Sequence, residues 1–120
     1  MIHESGEDYL ETILLLQNKN GSVRSIDIAR ELEYTKASIS RAMSILKTSE
    51  YITMDASGQI LLTDKGLSKA KEVYERHQLI TNYLIKALGV SEETASQDAC
   101  RIEHVISKES FEKIKQFVQG

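Results

Sequence analysis

The 120-residue chain has no proline, no tryptophan and a single cysteine. Without proline, against an expected share of about 5%, the strongest helix breaker is missing and a mostly helical chain is favoured, with glycine as the punctuation. One cysteine, Cys100, excludes an intrachain disulfide and agrees with a reducing compartment. The longest aliphatic runs, such as Ile13-Leu14-Leu15-Leu16, fall far short of the roughly 20 apolar residues that cross a bilayer, so no membrane segment is expected. The start, Met1-Ile2-His3-Glu4-Ser5-Gly6-Glu7-Asp8, is acidic and lacks a basic stretch followed by an apolar one. No signal peptide is visible, and a cytoplasmic location is expected. Net charge is -3, which argues against a uniformly basic nucleic-acid binder and leaves room only for a local basic surface. No phosphate-binding glycine loop and no nucleophile-base-orienter set is present, so hydrolase and nucleotide-binding readings have little support.

Hydrophobic residues make up 41% and charged residues 28%, which places the chain among proteins that fold in water. The length fits one compact domain, or a small domain with an appendage, and excludes large multidomain enzymes. Ser5 is expected to cap a first helix with Glu7 and Asp8 in its first turn and Leu10, Ile13, Leu14 and Leu16 on its apolar face, ended by Asn18-Lys19-Asn20-Gly21. A short second helix is read over 25–32, with Ile26, Ile28, Ala29 and Leu32 inward, followed by a turn at Glu33-Tyr34. The third starts at Thr35 or Lys36 and stops near Ser49, with Ile39, Ala42, Met43 and Leu46 at helical spacing. Tyr51-Ile52-Thr53-Met54 and Gln59-Ile60-Leu61-Leu62 read as two strands around a turn ending in Gly58. A long fourth helix runs from Thr63-Asp64 to Leu88 and is closed by Gly89. Its stripe of Leu67, Ala70, Tyr74, His77, Leu84 and Leu88 should face packed neighbours. Ser91 caps a fifth helix reaching about Ile106, and Ser107 or Lys108 starts a sixth with Phe111, Ile114, Phe117 and Val118 inward.

Two short helices around a tight turn, then a hairpin and a long helix, follow the order of a winged helix-turn-helix. From 35 to 49 there are three basic residues, Lys36, Arg41 and Lys47, and no acidic one. Small Ala37 and Ser38 let the helix approach base edges, Thr35, Ser38 and Ser40 offer donors to phosphates, and Arg41 can reach a guanine edge or a phosphate. The plainer alternative is an amphipathic helix with a solvated charged face.

A second constellation suggests a metal. Asp8 and Glu11 stand three apart on helix 1 and share a face. Cys100, Glu103 and His104 follow at i, i+3 and i+4 on helix 5, which puts a thiol, a carboxylate and an imidazole on one stripe. The plainer readings are a core histidine at His77, a first-turn acid at Asp8 partnering the Ser5 cap, and Cys100 as a small buried hydrophobe.

At these residues the chain resembles the DtxR/MntR family of iron- or manganese-dependent transcriptional repressors. The resemblance rests on Glu7-Asp8-Tyr9-Leu10-Glu11-Thr12-Ile13, Ile28-Ala29-Arg30-Glu31-Leu32, Leu62-Thr63-Asp64-Lys65-Gly66, Arg76-His77 and Asp98-Ala99-Cys100-Arg101-Ile102-Glu103-His104-Val105. It implies a mainly α homodimer, a winged helix-turn-helix followed by a helical dimerisation region, with metal bound between helices 1, 4 and 5. Residues 1–62 are expected to be the DNA-binding domain and 63–120 the metal-binding and dimerisation domain. The implied partner is a double-stranded DNA operator, the implied target an uptake-transporter promoter, and the implied cofactor Mn(II) or Fe(II), up to two per subunit. Asp8, Glu11, His77, Glu103 and His104 match the manganese-sensing branch. Cys100 matches the iron-sensing branch, and Thr81 and Ser96 stand where that branch has extra ligands. The chain ends near Gly120 without an SH3-like C-terminal domain, which resembles the short manganese-type architecture.

Carboxylates and imidazoles suit Mn(II), whereas a thiolate favours softer or later ions, so the donor set leaves the metal open between Mn(II) and Fe(II). Two other classes remain at this point. One is a winged-helix regulator answering to an organic ligand or a protein partner. The other is a helical di-metal oxidase, against which the chain lacks a pair of Glu-x-x-His motifs.

Overall fold

The computed structural model describes residues 4–120, with side chains from residue 6 onward; α1 already begins at Glu4, so Ser5 falls inside the helix and not at the cap position before it, where it was expected. Among the described residues the chain forms α1 (Glu4–Asn20), α2 (Ser25–Leu32), α3 (Lys36–Thr48), β1 (Ile52–Met54), β2 (Ile60–Leu62), α4 (Asp64–Leu88), α5 (Glu92–Ile102) and α6 (Lys108–Gln119). Packing divides it into two units that meet in sequence inside α4, after Lys71.

In the first unit α2 and α3 have local reasons to start or stop. Thr35 accepts the Ser38 N–H and caps α3, and Asp27 accepts the Arg24 N–H at 2.9 Å at the head of α2. Glu33, at φ 57, turns the chain between α2 and α3 in the left-handed region. β1 and β2 pair antiparallel with Ile52 opposite Leu62 and Met54 opposite Ile60. An isolated bridge between Arg24 and Gln59 ties the hairpin to the segment before α2, an addition to the expected two strands. Leu10, Ile13, Leu14 and Leu16 of α1 join Val23, Ile28, Ala29, Ile39, Met43, Leu46, Ile52, Ile60 and Ala70 in one core. This burial of aliphatic side chains is the main stabilising term and holds α3 with its polar face outward.

The wing is welded to α4 by backbone proximity. Thr63 accepts the Gly66 N–H and donates its hydroxyl to the Glu50 carbonyl at 2.7 Å. Gly66 is required there, because a Cβ would run into the Tyr51 carbonyl oxygen, which is backbone and cannot yield cheaply. Gly66→Ala is expected to destabilise the protein by about 1–3 kcal/mol, as overpacking typically does, read as a lower urea midpoint at unchanged m-value.

The second unit buries Val73, Leu79 and Ile80 of α4 with Ala95 and Ala99 of α5. Three expectations give way to the structure. α5 ends at Ile102 rather than near Ile106. Beyond it the His104 N–H turns to Arg101 and the Val105 N–H to Ile102, an i→i−3 pattern that tightens the chain before Ser107 caps α6. And α6 fully buries none of its side chains. Phe117, expected inward, is 48% exposed, and Leu88 at the end of the α4 stripe is 64% exposed. A unit of this size does not offer enough opposing surface to cover both apolar faces. α6 is nonetheless anchored, by an edge-on contact of Phe117 with Tyr83 and by Lys115 to Glu75 at 3.2 Å.

Candidate metal centre and DNA-reading helix

Glu103 is the centre of the second unit. It follows the last residue of α5, still in right-handed helical conformation, and its side chain is fully buried. Its two carboxylate oxygens face two imidazoles, with His77 Nδ1 3.0 Å from Oε2 and His104 Nε2 3.3 Å from Oε1. The His104 approach lacks hydrogen-bond geometry, and Oε1 has no hydrogen-bond partner. A buried carboxylate with an oxygen in that position is costly unless positive charge reaches it.

These residues fit a divalent cation. The donors are nitrogen and oxygen, the set used by Mn(II), Fe(II) and Zn(II). Neighbouring ligand atoms on an ion with bonds of about 2.1 Å stand roughly 3 Å apart, close to the two separations found here.

The surroundings hold the histidine. Thr81 donates its hydroxyl to the His77 carbonyl at 2.7 Å, and Ser96 Oγ lies 3.4 Å from His77 Nε2. The two positions that the resemblance marked as lacking extra ligands thus touch the ligand candidate itself, one at its backbone and one at its ring. Arg76, quoted from the sequence only as part of the Arg76-His77 motif, donates from Nη1 to the Glu103 carbonyl at 2.8 Å. Its role could be suspected from sequence only as a cation next to a candidate ligand. Cys100 is exposed, one turn before Glu103. It therefore does not share the burial of Glu103, and it is not the buried hydrophobe that was the plainer reading. The close of α5 at Ile102 also means that Glu103 and His104 leave the helix on which all three were expected.

In the first unit, Glu11 is buried and Asp8 half-buried on α1. The Asp8 carbonyl accepts the Thr12 hydroxyl at 2.8 Å.

The DNA-reading candidates Thr35, Lys36, Ala37, Ser38, Ser40, Arg41 and Lys47 are all exposed. Thr35 is partly committed, since its hydroxyl donates to Ser38 Oγ at 2.9 Å while capping α3. Sequence reasoning passed over Ile45, which is 61% exposed four residues beyond Arg41 and so shares its face. The wing segment from Ile52 to Leu62 carries no cation. At its tip the Ser57 hydroxyl, then the Gln59 and Ser57 backbone N–H groups, hold the Asp55 carboxyl below the usual range. The tip stays negative, whereas the exposed face of α3 carries Lys36, Arg41 and Lys47.

Residues 1–58 match the model of the iron dependent repressor N-terminal DNA binding domain, and residues 63–120 that of the iron dependent repressor metal binding and dimerisation domain. The chain is 32% identical over 117 residues to an uncharacterized HTH-type transcriptional regulator of Methanocaldococcus jannaschii, covering 97% of this chain and 94% of that protein. It is 34% identical over 119 residues to the HTH-type transcriptional regulator MntR of Bacillus subtilis, covering 99% and 83%. Among solved structures, the manganese regulator SloR superposes with a TM-score of 0.84 at 25% identity, over 95% of this chain and 53% of that one. ScaR with bound Zn2+ gives 0.81 at 28% identity, over 95% and 53%. The chain thus spans about half the length of these solved regulators. No helix among the described residues is long and apolar enough to cross a membrane. With both of its parts matched, the chain belongs to the DtxR/MntR family of metal-dependent, DNA-binding transcriptional repressors, regulators rather than enzymes.

Proposed function

We propose that this protein is a cytoplasmic, homodimeric repressor that binds operator DNA when loaded with Mn(II) or Fe(II), and so controls genes of metal homeostasis. Residues 1–62 read DNA, through Thr35, Lys36, Ala37, Ser38, Ser40, Arg41 and Lys47. Residues 63–120 sense metal and dimerise. Asp8, Glu11, His77, Cys100, Glu103 and His104 supply the ligands, with room for two ions per subunit. The observation that carries the reading is the fully buried Glu103 carboxylate with an imidazole at each oxygen.

The bound ion supplies positive charge that offsets Asp8, Glu11 and Glu103. Asp8 and Glu11 belong to α1, which is packed in the DNA-reading module, whereas His77, Glu103 and His104 belong to the helical region. Ligation by both sets restrains one module against the other and favours a head orientation that suits the operator. By linkage, metal and DNA then tighten each other's binding by the same factor. The likeness to SloR supports Mn(II); the thiol of Cys100 pulls the preference toward softer ions.

The test is anaerobic retention of the organism's own genomic DNA fragments by the purified protein, without metal, with Mn(II) and with Fe(II), at one fixed salt concentration. Retention of a few fragments only with metal is expected. The same fragments with and without metal would refute the sensor and favour a regulator answering to an organic ligand. Chelation gives a second readout. A metal at a hundredfold excess over Kd stabilises the folded state by about 2.7 kcal/mol, so removing it is expected to lower Tm by on the order of 10 °C. An unchanged Tm would count against the centre.

A further inference from the structure

We propose that Arg76 is a positioning residue of the metal centre: its guanidinium holds the turn that carries Glu103 and His104. The inference rests on the metal-sensor reading above. Arg76 and His77 are consecutive on α4 and take hold of the same residue from two sides. His77 meets the Glu103 carboxylate at 3.0 Å, and Arg76 Nη1 donates to the Glu103 main-chain carbonyl at 2.8 Å.

That carbonyl lies just past the last residue of α5, where the helix no longer supplies its own donors. The Glu103 N–H still closes an α-type bond to Ala99, but the next two N–H groups turn to Arg101 and Ile102, so the chain leaves the α-helical ladder at the Glu103 carbonyl and its path from there depends on what it meets across the unit. Arg76 meets it there with a side chain only 16% exposed, itself steadied by Nη2 at 3.5 Å from Glu72 Oε1, one turn earlier on the same helix. The planar guanidinium, with donors in a fixed fork, suits this bridging of a carbonyl and a carboxylate. Fixing the Glu103 backbone fixes where its carboxylate points and where His104 begins. Groups outside the ligand set that orient ligands in this way typically change metal affinity by about 10–100-fold when removed.

The experiment uses the full chain with Co(II), whose visible absorption reports ligand geometry. Arg76→Met keeps the bulk and removes the donors; Arg76→Lys restores a cation with a single donor group. Metal-free circular dichroism checks that each variant is folded. Folded Arg76→Met is expected to bind Co(II) about 10–100-fold more weakly, with altered absorption bands, and Arg76→Lys to recover part of both. A merely structural role would lower the melting temperature while leaving the bands of the loaded protein unchanged. Wild-type affinity and wild-type bands in Arg76→Met overturn the proposal; if that variant does not fold, the same result in Arg76→Lys overturns it. Glu103→Gln run in parallel separates the two readings. If it binds Co(II) like the wild type, the metal centre itself is refuted and the positioning role falls with it. If it loses Co(II) while Arg76→Met keeps it, only the positioning role is refuted.

Discussion

Glu103→Gln is expected to abolish metal-stimulated DNA binding, with at least about a hundredfold loss of metal affinity, while the fold persists. Glutamine is nearly isosteric, so the cavity stays filled and the Arg76 bond to the main-chain carbonyl at position 103 is untouched. What disappears is one buried negative charge between His77 and His104. In the metal-free protein that loss should be neutral or stabilising, because a buried carboxylate costs free energy unless it is compensated. In the loaded protein the amide is a poor substitute for an anionic ligand. His77→Ala is expected to act in the same direction. Calorimetric titration with Mn(II), alongside gel retardation with and without metal, checks both variants, and unchanged metal dependence in the pair would sink the assignment.

Arg41→Ala is expected to do the opposite: weaker operator binding at unchanged metal affinity in the absence of DNA. Arg41 is exposed on α3 and lies away from the buried residues Ile39, Met43 and Leu46, so truncation removes no core contact. A bidentate arginine contact to a guanine edge discriminates by about 1–3 kcal/mol, or roughly 5- to 150-fold. A base contact would relax specificity at one operator position. A phosphate contact would instead weaken all sequences alike and reduce the salt slope by about one. Equal loss of DNA and metal binding would count against either role.

The contrast between these variants reflects two kinds of residue, and they differ in how far the sequence betrays them. α2 and α3 could be read closely, at 25–32 and from Thr35, because a capping threonine, apolar spacing and a run without acids are local signals. The same holds for α4, whose close at Leu88 is marked by Gly89 at φ 72. The end of α5 is different. No glycine or proline stands between Ile102 and Ser107, and apolar spacing continues through Ile106, so the pattern alone extends the helix too far. The chain turns where Arg76 takes the Glu103 carbonyl and where α6 needs its Ser107 cap. Arg76 is no neighbour of that turn in sequence.

Local pattern thus determined the helices, the wing, the polar face of α3 and the residue types of a metal centre, since capping, periodicity and ligand chemistry act over a few residues. Tertiary structure alone decided that Glu103 is buried while Cys100 one turn earlier is exposed, and that Arg76 secures the turn. It also left the faces of Phe117 and Leu88 largely uncovered. Burial and long-range hydrogen bonds depend on which segments meet across the fold, and residues 27 positions apart, as Arg76 and Glu103 are, carry no mark of each other in the local pattern.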